Sequence, residues 1–231
     1  MVLVIDIGNT DIVLGFFQGK ECVHLFRHST GEYASLGERL SIELTSIALT
    51  SDQVSVAVLS SVVPGVTPAV IRQLTDEFEK KLLVLGPELF RKLPVKVHNP
   101  DEIGSDLVAN SIAAFDILRA GCIVVDFGTA LTVTTINDRG EIEGVAIAPG
   151  LQTAMKSLFM NTAQLPEVPL IWPESAIGKG TEHALQAGIL RGYVGLVREL
   201  IRSIREEKGN PDLPAIATGG LSEVIPPLRS D

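Results

Sequence analysis

Cysteine and the large aromatics are scarce in this chain: two Cys, one Trp and two Tyr in 231 residues. Cys22 and Cys122 are too few for a disulfide framework, and no CxxC or Cys/His cluster is present to hold zinc. His24, His28, His98 and His183 are scattered without metal-ligand spacing, and each reads as a surface or partly buried residue. The net charge of −9 and the pI near 5.0 argue against a nucleic-acid surface. No apolar run approaches membrane-span length. The chain opens on a strand-like Val2–Ile5 without a basic region before it, so no membrane partner and a cytoplasmic location are expected. What the chain does have is 45% hydrophobic residues, enough for one large domain or two of moderate size.

It also says nearly the same thing twice. Val4-Ile5-Asp6-Ile7-Gly8-Asn9-Thr10 and Val124-Val125-Asp126-Phe127-Gly128-Thr129 are each a β-branched run ending in Asp, then a Gly turn with Thr, then a second apolar run. The two Asp residues lie 120 positions apart, about one domain length. An Asp at a strand end can hold a metal-bound phosphate, a Gly turn lets backbone N–H groups approach phosphate oxygens, and Thr adds a hydroxyl. One copy alone is as easily an ordinary hairpin. Two copies at domain spacing point to two similar domains facing each other across a nucleotide.

The rest of the pattern agrees. Strands are expected at Val2–Asp6, Ile12–Phe17 and Cys22–Arg27, a helix at Leu36–Leu49, and a strand at Val54–Ser60. A helix capped by Thr67 should run to about Lys81, followed by a strand at Leu82–Leu85. The second half reads as a helix from Ser105 or Asp106 to Ala120, then strands Cys122–Asp126, Ala130–Asn137 and Ile142–Ala148. Helices at Leu151–Met160 and from Thr181 to about Glu207 precede a last strand, Ala215–Thr218. The expected class is α/β: two ribonuclease-H-like (actin-like ATPase) domains, 1–118 and 119–231, each a mixed five-stranded sheet flanked by helices.

Three segments carry candidate chemistry. Asp6–Thr10 reads as a phosphate cradle with Asp6 near Mg²⁺. In Asn99-Pro100-Asp101-Glu102-Ile103-Gly104-Ser105-Asp106, one acid can serve as general base for a hydroxyl nucleophile, and the spacing does not choose among Asp101, Glu102 and Asp106. Gly219-Gly220 after an apolar strand either lets a flat ligand such as adenine lie on the backbone or is a plain strand-to-helix turn. Trp172 and Tyr193 read as packing residues, and Arg191, Arg198, Arg202 and Arg205 as a solvated helix face interleaved with Glu.

In this order, Asp6–Thr10, Ser60–Pro64, Asn99–Asp106, Asp126–Thr132, Gly144–Gly150, Thr162–Val168, Ile177–Thr181 with Gln186–Gly195, and Thr218–Leu221 resemble the type III pantothenate kinase family of the actin-like kinase superfamily. The resemblance covers almost the whole chain. It implies phosphoryl transfer from ATP to the terminal hydroxyl of pantothenate, the first step of coenzyme A synthesis. It implies ATP on Asp6, Ile7, Gly8, Asn9, Thr10, Asp11, Ile12 and Val13, with Thr129 and Thr132. It assigns Mg²⁺ to Asp6 and a monovalent cation, K⁺ or NH₄⁺, to Asp126. It makes Asp106 the general base and places pantothenate on Gly104, Ser105, Asp106, Leu107 and Thr181, in a homodimer. The chain departs from the family where Gly104-Ser105-Asp106-Leu107 replaces Gly-Ala-Asp-Arg and where Thr134 replaces an Asp. It also ends at Ser230-Asp231, where relatives continue into a last helix. A lost guanidinium partner for a carboxylate is worth about 1.5–3 kcal/mol. The alternative expectation is therefore a weakened relative acting as a binding or regulatory protein.

Overall fold

The computed structural model describes residues 1–78, 82–220 and 224–230. Two compact units emerge: residues 1–93 with 99–109, and residues 94–98 with 110–231.

The first unit opens with a meander, β1 (Val2–Ile7), β2 (Asp11–Gln18) and β3 (Glu21–Ser29). It continues through α1 (Leu36–Ser46), β4 (Val56–Ser61), α2 (Thr67–Phe78), β5 (Leu82–Val84) and the short α3 (Pro87–Phe90). The sheet order is β3-β2-β1-β4-β5, antiparallel in the meander and parallel from β1 to β4 and β5. Strand alternation sends Leu3, Ile5 and Ile7 of β1 and Ile12, Leu14 and Phe16 of β2 into one fully buried layer. Leu36, Leu40 and Leu44 of α1 and Val70, Leu74 and Phe78 of α2, spaced at i and i+4, close that layer. The other face of β1 is thereby left to carry Asp6. Glu43, buried on α1, is matched by Arg39 and by His24 Nε2 of β3 at 2.7 Å, so this histidine is a packing partner. Thr67 begins α2 but does not cap it. Its hydroxyl donates back to Val63 O at 2.8 Å, and the expected helix end at Lys81 lies outside the described residues.

α4 (Ser105–Leu118) leads to the second meander, β6 (Cys122–Phe127), β7 (Ala130–Ile136) and β8 (Ile142–Pro149). Then come α5 (Leu151–Asn161), α6 (Thr181–Gln186), α7 (Gly192–Glu207) and β9 (Ala215–Thr218). α6 runs into α7 through a single π-turn, Ala187–Arg191, inside the one long helix expected there. The sheet order is β8-β7-β6-β9, with β9 parallel to β6. The second sheet thus has four strands among the described residues, one fewer than expected. The sequence offers no further strand-like run in this half. Past Thr218 come Gly219-Gly220 and Pro226-Pro227, and the prolines lack the N–H a ladder needs. Ile123, Val125 and Phe127 meet Leu190, Val194 and Val197 in this unit's core.

Candidate active site

The first Asp–Gly turn is built from three strands. Asp6 lies beside Val13 of β2 and Ser60 of β4, so the three side chains share the face of the sheet opposite the core. The turn closes through Gly8 N–H to Asp11 O at 2.9 Å. Thr30, just past β3, pins it: its hydroxyl donates to Gly8 O at 2.7 Å and its N–H to Thr10 O at 2.9 Å. Asn9 and Thr10 are left exposed at the tip. Ile7 and Ile12 are fully buried, so their side chains belong to the core and only their backbone can face a ligand. Burial pushes the Asp6 carboxyl pKa up; the Ser60 hydroxyl opposes this and the charge of Asp106 adds to it.

Asp106 reaches this neighbourhood because the start of α4 is tied to the end of β4. The buried Ser105 hydroxyl accepts from Ser61 N–H at 2.9 Å and donates to Ser61 O at 3.0 Å. It also lies 3.0 Å from the Ser60 hydroxyl. Asp106 Oδ1 accepts from the Leu107 N–H at 2.8 Å. A Cβ on Gly104 would sit 2.3 Å from Asp106 Oδ1, so glycine is what leaves that carboxylate its place. Of the three candidate acids, Asp106 is the one whose charge reaches Asp6. Asp101 and Glu102 are exposed, and Glu102 accepts from Asn99 at 3.2 Å. Leu107 is buried. Thr30 is a residue of this neighbourhood that the motifs pass over, and Ser60 enters the motifs only as the start of Ser60–Pro64, without its place beside Asp6. Their signal was the register of β4 against β1 and the end of β3, which the chain order alone does not give.

The second turn is not a replica. Asp126 pairs with Thr132 across β6–β7 and with Thr218 along β9, again all on one face. Asn110 of α4 donates to Asp126 Oδ2 at 3.0 Å. The turn is one residue tighter, closing from Gly128 N–H to Ala130 O at 3.2 Å. Gly219, at φ +96°, lies against the carboxylate: a Cβ there would be 2.5 Å from Asp126 Oδ1, so this position admits little besides glycine. Thr132 Oγ1 is buried beside Asp126 with no hydrogen-bond partner among the described residues. Thr129 is exposed. Thr181 begins α6 and lines an apolar cavity of about 560 Å³ with Leu158, Leu165, Leu185 and Ile189. A larger groove, about 820 Å³, runs along Arg198, Arg202 and Arg205 and contains none of these residues. Arg191 is not part of that solvated face, because its guanidinium lies over the Trp172 ring, 5.1 Å from the centroid. Leu221 lies outside the described residues.

Two mixed sheets, each opened by a meander whose first turn follows a strand-end Asp, define an actin-like ATPase fold. Similar solved structures include ethanolamine utilization protein EutJ from Carboxydothermus hydrogenoformans, at TM-score 0.53 and 16% identity over 99% of this chain and 82% of that one. Another is the activator of the 2-hydroxyisocaproyl-CoA dehydratase from Clostridium difficile, at TM-score 0.51 and 12% identity over 99% and 83%. The profile of the type III pantothenate kinase family matches residues 2–203. The type III pantothenate kinase of Geobacter sulfurreducens is 41% identical over 98% of this chain and 90% of its own length. That of Treponema pallidum subsp. pallidum is 42% identical over 97% and 85%. The chain belongs to the type III pantothenate kinase family.

Because burial raises the Asp6 pKa, the ionised carboxylate is less favourable in the folded than in the unfolded chain. The stability it withholds is greatest above the raised pKa and vanishes below the ordinary one. Without Mg²⁺ or nucleotide, Asp6→Asn should therefore raise Tm at neutral pH, and the gain should shrink as pH falls through the carboxylate range. Scanning calorimetry across pH checks this; a gain independent of pH would put its cause elsewhere than in the charge.

Proposed function

We propose that this chain transfers the γ-phosphoryl group of ATP to the terminal hydroxyl of pantothenate, the first step of coenzyme A synthesis, in the cytoplasm. Family membership over residues 2–203 carries the reaction, and the convergence of Asp6, Ser60 and Asp106 in one unit supplies a place for it.

Asp106 is the general base. Its carboxylate accepts the proton of the pantothenate hydroxyl as the oxygen attacks, while the Ser105 tether keeps it at the end of β4. Gly104 and Leu107 flank it, and Thr181 takes the other end of the substrate. Gly8, Asn9 and Thr10, with the backbone of Asp11 to Val13, cradle phosphate oxygens, joined by Thr129 and Thr132. Asp6 holds Mg²⁺, which neutralises triphosphate charge. The fit is electrostatic: a carboxylate that burial makes costly to ionise gains most from a cation. Asp126 seats K⁺ or NH₄⁺. The unpartnered Thr132 hydroxyl and the carboxylate make an oxygen-only donor set suited to such an ion.

A coupled assay with ATP, Mg²⁺ and pantothenate should show ATP-dependent phosphopantothenate formation. Asp106→Asn should lower kcat by about 10²–10⁴-fold, with the affinity for a non-hydrolysable ATP analogue kept. A wild-type rate would remove Asp106 as base. Asp126→Asn should abolish stimulation by K⁺ and NH₄⁺, read as rate against cation concentration in a sodium background.

We further infer a homodimer. Phe159, Met160 and Ile177 are large apolar side chains that stay exposed, Met160 by 68% and Ile177 by 75%. They lie in sequence next to Leu158 and Thr181, which line the apolar cavity. Met160→Asp should shift the mass measured by light scattering from dimer to monomer and raise the KM for pantothenate. An unchanged mass would take this face out of the interface.

A further inference from the structure

Tyr193 is 8% exposed and sits one residue into α7, directly after the π-turn. Packing alone would be served by phenylalanine, yet the hydroxyl has a specific partner: it donates to Pro149 O. Burial raises its pKa, which keeps the proton on the donor. Pro149 is the last residue of β8 and pairs with Ala130 across the sheet. Its carbonyl belongs to the same peptide unit as the Gly150 N–H, and that N–H donates to Thr129 O at 2.9 Å.

The peptide is planar and its C=O and N–H point in opposite directions. Fixing the carbonyl therefore fixes the N–H, and the two hydrogen bonds polarise each other. The result is a relay from Tyr193 through Pro149-Gly150 to Thr129. Two more contacts converge on the same turn. Thr153 Oγ1 donates to Thr129 O at 2.7 Å. The Gly150 Cα faces the turn so closely that a Cβ would lie 2.2 Å from Gly128 O and 2.5 Å from Thr129 O. With the Gly128 carbonyl turned to Gly150, planarity turns the Thr129 N–H to the opposite side.

We propose that Tyr193 is a positioning residue for the nucleotide. By holding the Pro149–Gly150 peptide, it fixes the conformation of the Gly128-Thr129 turn, against which a phosphate oxygen would lie. The proposal rests on the reading that this turn touches ATP. It gives the π-turn a consequence, since the helical register of Tyr193 is set where α6 hands over to α7.

The test compares Tyr193→Phe, Thr153→Val and Thr129→Ala by titration with a non-hydrolysable ATP analogue and by steady-state kinetics. Tyr193→Phe should weaken analogue binding and raise the KM for ATP about tenfold, the size of one lost hydrogen bond. The KM for pantothenate should stay within about twofold, because neither Tyr193 nor Thr153 is among the residues read as touching pantothenate. Thr153→Val, which removes the second donor to the same carbonyl, should show the same split, and it keeps the proposal testable if Tyr193→Phe folds poorly. A purely structural role would instead lower Tm and the active fraction while leaving analogue affinity unchanged, and that result overturns the proposal. If Thr129→Ala weakens the analogue but Tyr193→Phe and Thr153→Val do not, the positioning role falls and the phosphate reading stands. If none of the three changes analogue affinity, both fall. Weakening by Tyr193→Phe without Thr129→Ala assigns the contact to the backbone of the turn and supports the proposal.

Discussion

An ionised carboxylate at the end of a central strand is expensive to keep, and the first unit is organised around that cost. Asp6 is where it is because β1 alternates: Leu3, Ile5 and Ile7 must point into the core, so the residue between the last two must point the other way. The same alternation denies Asp6 full hydration. Ser60 reaches the carboxylate because β4 runs parallel to β1 in a register that sets the two side by side. Ser105 reaches Ser60 because α4 starts where β4 ends. The serine steps each satisfy a buried polar atom and at the same time bring another acid, Asp106, nearer. The repulsion this creates is tolerable in a fold that expects a cation, and unfavourable otherwise.

The second unit handles its strand-end Asp differently. Asp126 takes a hydrogen bond from Asn110 and lies against the Gly219 backbone, and its cross-strand neighbour is a hydroxyl where Asp6 has Val13. A threonine hydroxyl buried without a partner is a standing penalty unless something supplies one. The duplicated motif has thus diverged in its donor atoms while keeping its strand geometry.

Much of this was legible in the chain. The strand–Asp–Gly–Thr repeat, the meanders and the β-branched runs predict the order of elements because each is a local signal. What escaped were features decided between elements. Ser60 stands in the Ser60–Pro64 segment, but its place beside Asp6 is set only once β4 lies beside β1. Tyr193 reads as packing until its hydroxyl is seen at the end of β8. The π-turn inside the expected long helix has no local mark beyond Gly188 and Gly192. The nearness of Asp106, and not Asp101 or Glu102, to Asp6 is likewise decided between elements: the helix tether brings one acid to Asp6 and leaves the other two in solvent.

The two replacements flanking Asp106 are better understood together than singly. Where the family resemblance implies Ala and Arg, this chain has Ser105 and Leu107. Ser105 adds three polar contacts to the end of β4, and Leu107 adds a buried apolar side chain. The serine contacts fasten the first turn of α4 to its own unit. A guanidinium at that position would set a positive charge beside Asp106. Position 107 supplies none here, and Asp106 is held by the serine tether and by the Leu107 N–H. The exchange at 107 leaves Asp106 in place all the same, because the atoms that fix it are those of β4, Gly104 and Ser105.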